Sequence, residues 1–203
     1  MNLTLEKARG WPSARVFGVD EAGRGPWAGP VTAAAICLPS DFDLNVDDSK
    51  KLSEKKREAL FEELTGLPHG IGAASVEEID ALNISQATFL AMRRAVDGLA
   101  AEIGAPAFVL VDGNRLPDWP YMGQAVIGGD GLSPSIAAAS ILAKVTRDRD
   151  MAALDAAFPG YGWASNKGYG VKAHKEGLEK LGVTPHHRKS YAPIAKILQA
   201  ETA

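Results

Sequence analysis

The chain has 203 residues, 46% of them hydrophobic and 23% charged, with a net charge of −3. That is length and apolar material enough for one well-buried domain with a small appendage, and it excludes a disordered or fibrous chain. The single cysteine, Cys37, excludes an internal disulfide and a thiolate metal cage; the absence of any long apolar run or apolar leader core predicts a cytoplasmic protein with no membrane partner.

In chain order, short apolar runs predict strands over residues 15–20, 32–38, 70–76, 108–112 and 123–128. Cys37, within the second run, reads as a small core residue. Helical patterns alternate with the later strands. Ser53 is placed to cap a helix over residues 54–64, with Leu60, Phe61 and Leu64 as its apolar stripe. Ser75 and Glu78 form a capping box for a short helix towards Leu82, and a longer helix from Ser85 to about Ala101 carries Phe89, Met92, Val96 and Leu99 at helical spacing. An alanine-rich helix between Ser135 and Phe158 offers small residues for close backbone approach. Pro159, Gly160 and Gly162 then mark a boundary, followed by helices over 171–181 and 194–200. The expected organisation is a catalytic unit over residues 1–158 and a helical extension over 159–203 packed on it.

Three of the apolar runs end in acid. Val16-Phe-Gly-Val-Asp-Glu-Ala-Gly-Arg-Gly-Pro26 passes from a strand pattern through Asp20 and Glu21 into a glycine-bracketed arginine; Phe108-Val-Leu-Val-Asp112 and Ala125-Val-Ile-Gly-Gly-Asp130 repeat the acid ending. Open α/β sheets bind ligands outside the carboxyl ends of their strands, so these four carboxylates are expected to converge. Hard divalent cations take oxygen ligands and share them with substrate phosphates, which makes Mg²⁺-dependent phosphodiester chemistry the matching reaction class. Asp20 is the expected shared ligand, at the end of a central strand. Glu21 would face the other way if that strand ran on, so a turn at Ala22-Gly-Arg-Gly25 is expected there. Asp130 also reads as a plain turn or cap residue before Gly131.

Between Ser140 and Tyr191, nine lysines and arginines (Lys144, Arg147, Arg149, Lys167, Lys172, Lys175, Lys180, Arg188, Lys189) face five acids (Asp148, Asp150, Asp155, Glu176, Glu179), against an acidic remainder. The asymmetry reads either as a nucleic-acid face or as a solvated helix surface. Lys50 and Lys51, beside a helix start, either grip a backbone phosphate or solvate a loop. Tyr169, between glycines in Asn166-Lys-Gly-Tyr-Gly170, either stacks on a sugar or base or packs inside. His174, His186 and His187 have no regular zinc spacing and read as surface or supporting histidines.

Val19-Asp-Glu-Ala-Gly-Arg-Gly-Pro-Trp-Ala-Gly-Pro30 resembles the opening signature of bacterial ribonuclease HII, the type 2 ribonucleases H. Asp48-Ser-Lys-Lys-Leu-Ser53, Val111-Asp-Gly-Asn114, Gly129-Asp130, Ala137-Ala-Ala-Ser-Ile-Leu-Ala-Lys-Val-Thr-Arg-Asp148, Asn166-Lys-Gly-Tyr-Gly170 and His187-Arg-Lys-Ser-Tyr191 are similar to further family blocks, in family order. The resemblance implies an α/β ribonuclease H-like fold, with a mixed five-stranded sheet flanked by helices and a helical C-terminal extension. It implies Asp20, Glu21, Asp112 and Asp130 as catalytic metal ligands for Mn²⁺ or Mg²⁺. The implied reaction is cleavage of the RNA strand of RNA/DNA hybrids and nicking 5′ to single ribonucleotides in duplex DNA, leaving 3′-hydroxyl and 5′-phosphate ends. Gly23, Arg24 and Gly25 would then read the ribose 2′-hydroxyl, Tyr169 would stack at the RNA-to-DNA junction, and Lys50 and Lys51 would bind substrate. A monomer is expected, with a sliding clamp as a candidate partner at the C-terminus. Trp27, Lys189 and Tyr191 depart from the family pattern, which more usually has Arg and Phe at the last two. Another two-metal nuclease, acting on branched DNA, and a non-catalytic hybrid-binding module are the competing readings; the carboxylates argue against the binder, and the Gly23-Arg24-Gly25 segment with Tyr169 against the branched-DNA enzyme.

Overall fold

The computed structural model describes residues 2–43, 46 and 52–201. In chain order it runs α1 (Thr4–Lys7), β1 (Val16–Ala22), β2 (Val31–Cys37), α2 (Glu54–Leu64), β3 (His69–Ala74), α3 (Val76–Leu82), α4 (Ile84–Ile103), β4 (Phe108–Asp112), β5 (Gly123–Val126), a 3₁₀ turn (Gly129–Gly131), α5 (Pro134–Ala157), α6 (Trp163–Asn166), α7 (Lys172–Leu181) and α8 (Ala192–Glu201). The strands form one five-stranded sheet in the order β3-β2-β1-β4-β5. β2 is antiparallel to β1 and β3, whereas β4 runs parallel to β1 and β5 parallel to β4. The sheet is therefore mixed, and β1 is its central strand. Because β1, β4 and β5 run the same way, their carboxyl ends emerge at one edge, where the β1–β2 connection also lies.

Strand alternation sorts the core into two layers. Phe17 and Val19 of β1 join Ala33, Ala35, Val109 and Val111 under Met92, Ala95, Val96 and Leu99 of α4. On the opposite face Ala34 and Ile36 meet Ile141 and Leu142 of α5, with Leu60, Phe61 and Leu64 of α2 outside them. Gly18 makes the α5 contact possible: a Cβ there would lie 2.2 Å from the Ser135 backbone. The small residues of α5 do what their composition suggests, letting a helix lie almost on the central strand.

Caps set most helix starts where short polar residues precede apolar ones. Ser53 accepts the Lys56 amide, and Ser75 with Glu78 forms the full capping box. The long helix α4 begins one residue before Ser85, because the Asn83 side chain, not Ser85, accepts the amides of Ser85 and Gln86. Ser133 caps α5, with Pro134 in its first turn. The segments α1, α6 and the 3₁₀ turn are too short for a periodic pattern to reveal. Beyond α5, a third core gathers Tyr161, Trp163, Leu178 and Ile194 around Met151 of α5 and Ala28 of the β1–β2 connection, tying the last helices to the edge that carries the site. Among the described residues no helix is long and apolar enough to cross a membrane.

Candidate active site

Asp20 sits near the end of β1, only 4% exposed, and its Oδ1 accepts the Glu21 amide at 2.7 Å. A further hydrogen bond comes from Ser140 of α5. Burial, then the neighbouring charges of Glu21 and Asp112, push the Asp20 carboxyl well above the usual aspartate range. Contrary to the expected turn, β1 continues to Ala22, with Glu21 paired opposite Ala33. Glu21 consequently leaves the opposite face of the strand from Asp20. Its Oε1 accepts Arg24 Nη1 at 3.1 Å, and its buried Oε2 has no hydrogen-bond partner. Burial raises the Glu21 carboxyl, Arg24 pulls it back, and Asp112 raises it again.

Asp112 is the last residue of β4, and its Oδ1 accepts the Gly129 amide at 2.7 Å. Asp130 differs from the expected strand end: β5 stops at Val126, and Asp130 lies buried in the 3₁₀ turn that leads into α5. Three glycines and one acid in four residues, Gly128-Gly-Asp-Gly131, cannot hold an extended strand, and the chain turns at Gly128 with φ of 65°. The Gly129 amide nonetheless ties the residue before Asp130 to the Asp112 carboxylate.

Among the described residues, no three His, Cys, Asp or Glu side chains stand as a finished cage for one ion. The side chains have turned to protein partners instead, Asp20 to Ser140, Glu21 to Arg24 and Asp112 to Gly129. This donor set still fits a divalent hard cation. Carboxylate oxygens are its preferred ligands, the orphaned Glu21 Oε2 lacks a positive partner, and mutual repulsion among Asp20, Glu21 and Asp112 is what a cation would relieve. Mg²⁺ in particular is held by one or two carboxylates with substrate phosphates completing the shell, not by an all-protein cage.

Beside these acids lies a cleft of about 350 Å³ lined by Asp20, Glu21, the Gly23-Arg24-Gly25 segment, Ser140, Lys144, Arg147 and Tyr169. Tyr169 is 49% exposed, which decides against internal packing. Its ring closes on the glycine segment so tightly that a Cβ on Gly25 would lie 3.2 Å from the ring Cε1. Lys50 and Lys51 lie outside the described residues.

Two buried arginines shape this segment, and the sequence reading did not single them out. Arg188, with no exposed surface, donates to the carbonyls of Gly23 (2.6 Å), Arg24 (3.0 Å), Gly29 (3.0 Å) and Pro30 (3.1 Å). Tyr191, one of the departures from the family pattern, adds its hydroxyl to both Arg188 and the Arg24 carbonyl. Arg147 of α5 donates to Pro30, Lys167 and Ala28 carbonyls, and Gly23, at φ +96°, passes so close that a Cβ would meet Arg147 Nε at 1.9 Å. In a trans peptide the amide points opposite to the carbonyl before it. With the Gly23 and Arg24 carbonyls turned to Arg188, the Arg24 and Gly25 amides face away from it. Arg147 was detectable: Ala143, Arg147 and Met151 repeat every four residues on the apolar stripe of α5. Arg188 stands in an irregular segment, where no periodicity exists to mark it.

Of the three histidines read as surface or supporting, His174 and His187 are fully buried inside the aromatic cluster of Tyr161 and Trp163, and His186 is half-buried. Burial lowers both buried rings, His187 to about 4.

With this geometry in view, the chain was compared with known proteins. The family model described as Ribonuclease HII matches residues 17–194. Ribonuclease HII of Sphingopyxis alaskensis is 56% identical over 183 residues, covering 90% of this chain and 91% of the relative. The crystal structure of ribonuclease H2 from Pyrococcus horikoshii superposes with a TM-score of 0.74 at 25% identity, over 92% of this chain and 98% of the other. The ribonuclease HII solved in complex with PCNA from Archaeoglobus fulgidus gives a TM-score of 0.72 at 27% identity, over 87% and 95% of the two chains.

Proposed function

The chain belongs to the ribonuclease HII family and is an enzyme of the ribonuclease H type; from that premise we propose that it hydrolyses the RNA strand of RNA/DNA hybrids and nicks duplex DNA 5′ to a single embedded ribonucleotide. One observation carries this reading. Asp20 and Glu21, repelled by each other and by Asp112, line a cleft whose other wall is a backbone segment beneath an exposed tyrosine.

Asp20, Glu21, Asp112 and Asp130 would hold two Mg²⁺ or Mn²⁺ ions. Bound there, the ions supply charge stabilisation at the phosphate and a more acidic attacking water. The chain's own residues do the rest. The Arg24 and Gly25 amides, aimed away from Arg188 in a segment that lines the cleft, suit the ribose 2′-hydroxyl, the group that distinguishes RNA from DNA. Tyr169 covers the neighbouring sugar, where a deoxyribose packs and a 2′-hydroxyl meets the ring. Lys144, whose Nζ is held at 2.7 Å by Asp148, adds positive charge to the cleft for the scissile strand. Attack of water on phosphorus with departure of the 3′-oxygen of the upstream nucleotide, a deoxyribose in the embedded-ribonucleotide duplex, leaves a 3′-hydroxyl and a 5′-phosphate on the ribonucleotide. The PCNA complex of the Archaeoglobus fulgidus protein supports a proposal that this chain, expected to be a monomer, also meets a sliding clamp through its C-terminal end.

The test is an end-labelled DNA duplex with one ribonucleotide, incubated with Mg²⁺ or Mn²⁺ beside an all-DNA duplex and a chelator control. The expected product is a metal-dependent nick 5′ to the ribonucleotide, with all-DNA intact. Folded protein that cuts neither this duplex nor a uniform hybrid would overturn the reading.

A further inference from the structure

Tyr169 and the Gly23-Arg24-Gly25 segment reach the cleft from opposite ends of the chain, yet the tethers of both meet at one buried pair. His174 and His187 have no exposed surface, and their Nε2 atoms are 3.0 Å apart. Their remaining partners settle which nitrogen carries each proton. Trp163 Nε1, a donor only, points at His174 Nε2 from 3.1 Å, so that nitrogen accepts and the His174 proton is on Nδ1. Nδ1–H then donates to the Tyr169 carbonyl at 3.1 Å. At the other end the Thr184 amide donates to His187 Nδ1 at 2.9 Å, which leaves the His187 proton on Nε2, facing the accepting nitrogen of His174. The two ends were assigned independently and agree. A second proton on either ring would set donor against donor, and burial of both rings disfavours it.

His187 is followed directly by Arg188, the residue that holds the Gly23 and Arg24 carbonyls. Two hydrogen bonds, the peptide link from His187 to Arg188 and the Arg188 clamp thus lead from the Tyr169 carbonyl to the backbone segment under the Tyr169 ring. We propose that His174 is a positioning residue that sets the gap between the Tyr169 ring and Gly25, and through it the preference for a lone ribonucleotide over a continuous hybrid. The second half rests on the reading of Tyr169 and the glycine segment given above.

Glutamine and asparagine separate the two sides of the imidazole. His174→Gln places an amide where Nε2 stands, keeping an acceptor for Trp163 and His187 but abandoning Tyr169. His174→Asn places one where Nδ1 stands, keeping the donor to Tyr169. Two quantities are read, with Tyr169→Ala as reference: the ratio of kcat/KM on a single-ribonucleotide duplex to that on a uniform hybrid, and the ring-current shift of the Gly25 α-protons. For His174→Gln the ratio is expected to fall about fivefold, the worth of one hydrogen bond, with the Gly25 resonances moving towards their Tyr169→Ala positions. His174→Asn is expected to keep the ratio within about twofold of wild type on the same scale. Equal losses on both substrates in both variants, or unmoved Gly25 resonances in His174→Gln, would overturn the positioning role. An unchanged ratio in Tyr169→Ala itself would overturn the junction reading and the selectivity half with it, while the Gly25 shift still decides the positioning half. Ring ¹⁵N shifts of the unmutated protein give a check that needs no variant to fold: protons on Nε2 of His174 and Nδ1 of His187 would overturn the proposal.

Discussion

Asp20 and Arg188 are both buried beside the same cleft, but their surroundings treat charge in opposite ways. The Asp20 carboxyl meets Glu21 and Asp112, which oppose its ionisation, and Glu21 Oε2 is left without a partner. Arg188 meets four backbone carbonyls and the Tyr191 hydroxyl, so its donors are all taken up by neutral partners, with Asp80 acting on it only through its charge. Burying a charge is costly unless it is hydrogen-bonded. The arginine meets that condition within the protein and acts as scaffold; Glu21 Oε2 does not meet it, and that part is what a cation and a phosphate can supply. A wall that is complete alone positions the substrate, and a wall that is incomplete alone does the chemistry.

The strongest way to break this contrast is Asp20→Asn. Loss of a metal ligand removes several kcal/mol of transition-state stabilisation, so nicking is expected to fall by roughly 10³-fold or more with duplex binding retained. Near-normal turnover would sink the metal mechanism. Because the folded-state pKa of Asp20 is raised, its ionised form at pH 7 costs stability. The same variant, in chelator, is therefore expected to melt at a higher temperature than wild type.

Arg188→Met should act in the reverse sense. It strands the carbonyls of Gly23, Arg24, Gly29 and Pro30, which costs about 3 kcal/mol and lowers the thermal midpoint by roughly 10 °C, with activity lost on every substrate. A midpoint within a degree or two of wild type would show that the clamp is not structural.

Tyr169→Ala sharpens the comparison from within the cleft. Its exposed ring contributes little to the core, so stability should hold while cleavage at a single embedded ribonucleotide falls about tenfold relative to a uniform hybrid, the scale of one stacking contact. Equal losses on both substrates count against a junction role.

The smallest effect is a pH dependence. His187 is held down to about 4 in the folded protein against an ordinary 6.5, so the unfolded chain binds the extra proton first. Its contribution is complete above 6.5 and is lost as pH falls from there towards 4. Denaturant midpoints between pH 7 and pH 5 should decline in wild type and flatten in His187→Gln; parallel declines would remove the histidine pair as the cause.

The carboxylate wall was far more legible in the sequence than the arginine wall. Asp20 and Asp112 stand at the ends of apolar runs whose pattern marks them as strands, and parallel neighbours in an α/β sheet send such ends to one edge. The caps at Ser53 and Ser75 were equally plain, because capping is a contact between residues three apart. Asp130, read either as a strand end or as a turn residue before Gly131, lies in a turn, since glycine-rich sequence next to a short edge strand carries no period to decide between them.

What the sequence by itself determined, then, is local: the alternation that builds β1 and β4, the caps, the small residues that let α5 lie on Gly18, and the acids at the strand ends. Only the tertiary structure decided the rest. Arg188 is separated by about 165 residues from the Gly23 carbonyl that it holds, and His174 and His187 are buried by aromatics that come from the chain around them. Whether a charged or titratable side chain is solvated, paired or poised depends on which distant backbone atoms the fold brings within about 3 Å, since a hydrogen bond has no reach beyond that distance.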